Sequence, residues 1–183
     1  DFLNTKEGRL FKDDGSGFQV SFDAGTSDAL TYILLHEATH VVDQALGMTD
    51  DESSPIRAGI WDDLRTLAYP HAASLAAQTL FRGNAPVPLR YAPAYYASLQ
   101  DGPFVSFYAT AAAPEDVAEL VAWQQLASRH DVPLTLTVQD RHGSPVFRYE
   151  PLAAPALQPR FATVANMLMQ HERACGMVTK EQL

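Results

Sequence analysis

The chain has 183 residues, of which 46% are apolar and 19% charged, as is typical of a globular domain. Its 22 acidic and 13 basic residues give a net charge of -9, which disfavours a nucleic-acid-binding surface or a basic membrane-binding patch. The single cysteine, Cys175, excludes an internal disulfide and a cysteine-rich zinc knuckle. No apolar run approaches the length of a transmembrane helix. We therefore expect one domain over residues 1–183, whose oligomeric state the sequence leaves open.

The chain begins at Asp1 without a methionine or a signal sequence. We expect either a processed mature form or a chain that lacks its natural N-terminal segment. A processed form favours a bacterial protein that is exported to the periplasm or the medium. The lack of disulfides leaves the compartment open, because a secreted protein need not contain them.

Residues 1–24 predict a β-hairpin. A short apolar segment at residues 10–12 precedes the glycine-rich residues 13–17, and apolar and polar residues alternate over residues 18–22. If the second strand lies at a sheet edge, it can pair with an extended peptide. A hairpin that serves only for packing is the alternative.

Residues 26–46 predict a helix that carries the sequence His-Glu-Ala-Thr-His from His36 to His40. Residues four apart lie on one helical face, so each histidine can give a ring nitrogen to one zinc ion. Glu37 then projects beside the metal and suits a base that acts on a metal-bound water. An ordinary buried helix is the alternative, but two histidines and a glutamate are costly among so many apolar neighbours unless something satisfies them.

The ends of this helix have recognisable signals. Thr26 or Ser27 can cap its start, and Gly47 supplies its end. Asp43 shares the face of the two histidines. It can orient a ligating histidine as a hydrogen-bond acceptor, or it can be a solvated residue.

Residues 48–104 form a long connection without a simple hydrophobic period. A proline in its first turn predicts a helix over residues 54–68, and an alanine-rich segment predicts another over residues 71–82. Three tyrosines follow among prolines and can line a peptide cleft or belong to the core and its rim: Tyr91, Tyr95 and Tyr96.

Pro114 predicts the start of another helix, whose positive end suits the acidic Glu115 and Asp116. Glu115 and Glu119 stack on one face, where like charges repel unless a cation or donors lie between them. A zinc ion bound by Glu115, with Glu119 bonded to a ligating histidine, resolves this repulsion. A solvated acidic first turn is the alternative, and these residues taken alone favour it.

Residues 133–150 predict a second hairpin that turns at residues 140–143, and residues 158–172 predict a final amphipathic helix. His171 and Cys175 lie near the end of this helix, but nothing else in the sequence supports nucleophilic catalysis by such a pair. The elements together predict an α+β domain that is mainly helical.

The two motifs together resemble zinc metallopeptidases of the gluzincin type, and most closely the branch of lethal-factor-like proteases and Pro-Pro endopeptidases. In that branch the His-Glu-x-x-His helix is followed by a Ser-x-Tyr-type segment. Seven residues after the tyrosine, a Glu-Phe-Phe-Ala-Glu-like helix begins. Tyr108 and Glu115 have this separation, and residues 115–119 resemble the helix, with Val117 in place of the usual aromatic residue.

The resemblance implies a zincin-like fold. It implies a compact or truncated version of that fold, because only about 25 residues precede the motif helix, where the related folds have a longer sheet region. It also implies one zinc ion per chain, bound by His36, His40 and Glu115.

The resemblance further implies a zinc metalloendopeptidase that hydrolyses a peptide or protein substrate. Glu37 would be its general base, Tyr108 would steady the oxyanion, and Glu119 would hydrogen-bond a zinc ligand. A catalytically inactive, zincin-like module that binds zinc and has a binding or regulatory role is the alternative.

Overall fold

The computed structural model describes residues 9–25, 28–130 and 134–181. Within these residues the protein is a mixed α/β structure with four α-helices and two small sheets, joined by short 3₁₀ turns. This mixture agrees with the expected α+β class. None of the described helices combines the length and apolar character that a membrane span requires.

The four helices are α1 (Ala29–Leu46), α2 (Ala92–Gln100), α3 (Ala113–His130) and α4 (Gln158–Glu181). Among the described elements, helices α1 and α3 share the most extensive packing, and α4 also packs against α3. The site described below lies between α1 and α3.

Helix α1 begins and ends at residues that satisfy its free backbone groups. Asp28 accepts a hydrogen bond of 2.8 Å from the Thr31 N–H, and the Gly47 N–H donates to the Asp43 carbonyl at 2.8 Å. Gly47 has a φ of 62°, a left-handed conformation that glycine adopts without strain. The predicted end is therefore confirmed, whereas Asp28 is the N-cap and the candidate caps Thr26 and Ser27 lie outside the described residues.

The predicted N-terminal hairpin is wrong. Strand β1 (Phe11–Lys12) pairs in parallel with β3 (Val87–Pro88), and β2 (Gln19–Asp23) is an edge strand of a separate sheet. Long-range packing explains the difference, because Phe22 of β2 meets Trp123 of α3 edge-on, with ring centroids 5.4 Å apart.

The predicted second hairpin is confirmed. Strands β4 (Thr135–Gln139) and β5 (Pro145–Tyr149) are antiparallel, and β4 also pairs with β2. The Gly143 N–H closes the connecting turn on the Asp140 carbonyl at 2.9 Å. The side chains of His171 and Cys175 in the last turns of α4 lie outside the described side chains.

The helices predicted over residues 54–68 and 71–82 are wrong. Residues 54–68 form turns, and the second segment is broken into three 3₁₀ helices at His71–Ala73, Leu75–Ala77 and Leu80–Arg82. Side chains here replace the hydrogen bonds of a helix, since Asp63 Oδ1 accepts from two backbone N–H groups at 2.7 Å.

The tyrosines that follow belong to the core and its rim. Tyr96 is buried, and its ring centroid lies 4.9 Å from that of Phe107. Tyr95 is partly buried against the same cluster, and Tyr91 is exposed. The alternative that these tyrosines belong to the core and its rim is therefore confirmed for Tyr95 and Tyr96.

A buried ion pair joins α3, α4 and two loops. Asp116 is fully buried, and its two oxygens accept from the Arg160 guanidinium at 2.8 and 2.9 Å. The Trp61 indole N–H donates to the same carboxylate at 2.9 Å, and Arg160 also donates to the Pro103 carbonyl at 2.8 Å. The solvated first turn expected as an alternative is therefore wrong for Asp116.

We expect Arg160→Met to lower the free energy of unfolding by about 3–5 kcal/mol, because it leaves a buried carboxylate without its cation. Urea unfolding at neutral pH measures this loss. Arg148→Met is the matched control, since Arg148 pairs with Glu150 on the surface. The control should cost less than about 1 kcal/mol. A loss for Arg160→Met no larger than that of the control would contradict the role given to the buried pair.

Candidate metal centre

Three potential metal ligands converge between α1 and α3. Ligand atoms of His36, His40 and Glu115 all lie within 4.8 Å of one another. His36 Nε2 lies 3.0 Å from Glu115 Oε2 and 3.1 Å from His40 Nε2, and His40 Nε2 lies 3.5 Å from the same carboxylate oxygen. The two helices thus bring together residues that are 79 positions apart in the sequence.

The cluster is enclosed on one side and open on the other. The side chain of His36 is 1% exposed, while those of His40 and Glu115 are 28% and 24% exposed. Solvent and ligands therefore reach the cluster from the side of His40 and Glu115.

Glu119 supports the buried side of the cluster. Its fully buried carboxylate lies 2.7 Å from His36 Nδ1. It also accepts hydrogen bonds from the Ser106 hydroxyl at 2.7 Å, the Trp123 indole N–H at 3.1 Å and the Tyr32 hydroxyl. Burial opposes ionisation, but these donors, led by His36, outweigh it and hold the pKa of Glu119 below its ordinary value.

The contact with Glu119 fixes the protonation of His36. An ionised carboxylate only accepts hydrogen bonds, so the His36 Nδ1 atom carries a proton and donates it. In neutral His36 the Nε2 lone pair then points at His40 Nε2 and Glu115 Oε2. Lone pairs that face one another repel unless a proton or a metal cation lies between them.

The donor set fits zinc. Two imidazole nitrogens and a carboxylate oxygen are common zinc ligands, and a tetrahedral ion with bonds of about 2.0–2.1 Å separates its ligand atoms by about 3.3 Å. The three observed separations, 3.0, 3.1 and 3.5 Å, lie around this value. Calcium and magnesium prefer oxygen ligands alone, so the two histidines disfavour them.

Tyr108 lies beside the cluster, in contact with His36 and Glu115. Its ring centroid is 5.7 Å from that of His36, and its hydroxyl is hydrogen-bonded to Glu115. Burial, followed by the charge of Glu115 and smaller contributions from Glu119 and Glu37, raises the pKa of Tyr108 far above its ordinary value. The hydroxyl therefore stays protonated at physiological pH and remains a hydrogen-bond donor.

Glu37 lies on the solvent side of α1. Its side chain is exposed, and its charge is among those that raise the pKa of Tyr108. Glu37 thus follows His36 in the chain, and its charge acts on the phenol of Tyr108.

Asp43 does not join this group. Its Oδ1 and Oδ2 atoms accept from the backbone N–H and the hydroxyl of Thr49, at 2.9 and 2.6 Å, and the side chain is buried. Among the described residues its side-chain partner is thus Thr49 rather than a histidine. Both expectations for Asp43 are corrected: it is neither solvated nor an orienting acceptor, but fixes the turn after α1.

We did not predict from the sequence that three residues donate hydrogen bonds to Glu119: Tyr32, Ser106 and Trp123. Tyr32 precedes His36 by four residues and Trp123 follows Glu119 by four, so each shares a helical face with its site residue. Ser106 is the serine of the Ser-x-Tyr segment. Ser106 reaches Glu119 and Tyr108 reaches Glu115, which gives this short segment one contact to each glutamate.

No family model, curated protein or solved structure matches this chain.

We expect Glu119→Gln to lower the free energy of unfolding of the metal-free protein by about 1–3 kcal/mol. The amide brings its own donors into a buried pocket already filled by donors, so at least one polar group is left unpaired. Glu115→Gln is the matched control, because water can satisfy an amide at that partly exposed position. Urea unfolding compares the two. Equal losses would contradict the supporting role of Glu119.

Proposed function

We propose that the protein is a zinc-dependent metallopeptidase that hydrolyses peptide bonds in a peptide or protein substrate. The observation that supports this best is the convergence of two imidazole nitrogens and one carboxylate oxygen at a cluster that is open on one side. The protonated phenol of Tyr108 and the exposed carboxylate of Glu37, next to His36 in the chain, would supply the donor and the base that amide hydrolysis uses.

His36, His40 and Glu115 would hold the metal, and a set of three protein ligands leaves a position for water or substrate. When bound, zinc supplies Lewis-acid chemistry: it lowers the pKa of a water to about 7 and polarises a carbonyl. Glu119 keeps the Nδ1 proton of His36 in place, so that the Nε2 lone pair is available to the metal.

Glu37 acts as the general base in this proposal. Its exposed carboxylate takes a proton from the attacking water and then gives it to the nitrogen of the leaving amine. Tyr108 acts as a donor to the oxygen of the scissile carbonyl as negative charge develops there. Its hydroxyl must leave Glu115 to do so, and a phenol with the ordinary pKa of about 10 still carries its proton at neutral pH.

We expect one zinc ion per chain in the wild type and much less in Glu115→Ala, because the variant loses one of three ligands. Plasma mass spectrometry after zinc loading and dialysis measures the content. Glu52→Ala, at an exposed position on the loop after α1, is the matched control and should keep its zinc. Equal zinc in wild type and Glu115→Ala would remove Glu115 as a ligand, and no zinc in the wild type would refute the site.

We expect Glu37→Gln to keep its zinc and to lose peptide hydrolysis by about 100–10,000-fold, the range typical of a general base. A peptide library read by mass spectrometry, with the zinc content of the same samples, measures both properties. Full hydrolysis by the variant would contradict the mechanism. A zinc-loaded wild type without hydrolysis would instead favour the inactive zinc-binding module.

A further inference from the structure

The 3₁₀ segment Leu80–Arg82 contacts the turn that carries Tyr108, although it belongs to neither motif. The ring of Phe81 meets the ring of Tyr108 edge-on, with centroids 5.2 Å apart and planes at 78°. The ring of His36 lies at 5.7 Å from that of Tyr108. Tyr108 is therefore in contact with two rings, one from the candidate metal centre and one from outside it.

Arg82 fixes the backbone of the same turn. Its Nη1 atom lies 3.3 Å from the Thr110 carbonyl and 3.2 Å from the Ala111 carbonyl, at the end of the 3₁₀ turn Tyr108–Thr110. It also donates to the Arg65 carbonyl at 2.7 Å. A cation at the carbonyl end of a helical turn satisfies groups that the turn leaves free.

These contacts matter most when the Tyr108 hydroxyl leaves Glu115. In the proposed reaction Glu115 binds the metal and the hydroxyl turns to the substrate, so their mutual hydrogen bond no longer holds the ring. A misplacement of about 1 Å in a reacting group can cost about 100-fold in rate. The contacts from Phe81 and Arg82 involve neither the hydroxyl nor Glu115, and so they persist.

We propose that Phe81 and Arg82 are positioning residues for Tyr108: Arg82 fixes the backbone of its turn, and Phe81 fixes the direction of its ring. The inference rests on the proposed function, since it concerns the step in which the hydroxyl donates to the scissile carbonyl oxygen. It assigns a role in catalysis to a segment without a recognisable sequence motif.

A double-mutant cycle between Phe81→Leu and Tyr108→Phe tests the inference in the zinc-loaded protein. An edge-to-face ring pair contributes about 0.5–1.5 kcal/mol, so we expect Phe81→Leu to lower kcat by about two- to tenfold while KM is unchanged. In the Tyr108→Phe background the same substitution should leave kcat unchanged, because no hydroxyl remains to be aimed. Equal losses in both backgrounds would overturn the inference, since a purely structural effect does not depend on the hydroxyl.

Two further variants sharpen the cycle. Phe147→Leu makes the same change at a partly buried ring on β5, opposite Val138 of β4, and it should leave kcat unchanged. Arg82→Met should lower kcat only when the Tyr108 hydroxyl is present, and Arg82→Lys should restore part of the loss because its ammonium can still donate to a carbonyl. A loss in Arg82→Met that is independent of Tyr108 would overturn the role of Arg82.

A readout without catalysis separates this inference from the proposed function. With 3-fluorotyrosine at position 108, Phe81→Leu should broaden or split the fluorine resonance, because the ring then has more than one orientation, whereas the lost ring current of Phe81 alone would only shift a single sharp line. Phe147→Leu should leave the resonance in place. A single resonance of unchanged width in Phe81→Leu would overturn the positioning role even if the wild type hydrolyses peptides. A zinc-loaded wild type without hydrolysis would overturn the proposed function, and the width of the resonance would still show whether Phe81 holds the ring.

Discussion

The contact between His36 Nδ1 and Glu119 Oε1, 2.7 Å long, is the interaction on which the candidate site depends. A carboxylate without partners is costly inside a protein, so Glu119 is tolerated only where donors surround it. Those donors come from α1, from α3 itself and from the segment before α3. One buried charge thus holds three parts of the chain together, and the same carboxylate orients the ring of His36.

Helix α1 reverses the usual distribution of side chains. Its buried positions include His36, Thr39 and Asp43, while Leu34 and Val41 are 59% and 68% exposed. The packing of α1 on α3 therefore includes polar contacts, in which Tyr32 and His36 bond to Glu119 and His36 also contacts Glu115. We expected apolar neighbours around the histidines, but several of these neighbours are exposed. The expectation that the histidines have polar partners is confirmed for His36.

Local signals predicted the elements that local signals determine. The end of α1 at Gly47, the first turn of α3 at Pro114 and the hairpin of β4 and β5 follow from capping, proline preference and alternation. The hairpin expected before α1 does not form, because Phe11 and Phe22 have distant partners that no local pattern records. In the site, helical spacing grouped the histidines and the two glutamates. A single aromatic residue such as Tyr32 or Trp123 has no pattern in one sequence that marks it as a hydrogen-bond donor. Likewise, no local pattern distinguishes the buried Asp43 from a solvent-exposed aspartate.

The separation of 79 residues between His36 and Glu115 has a consequence for folding. A loop of that length is closed only at an entropic cost, and contacts between distant residues form slowly. In the unfolded chain His36 and His40 offer two adjacent ligands, and the third arrives only when α1 meets α3. A cation that requires all three ligands therefore binds the native topology in preference to the unfolded chain, and its binding free energy adds to the stability of the fold.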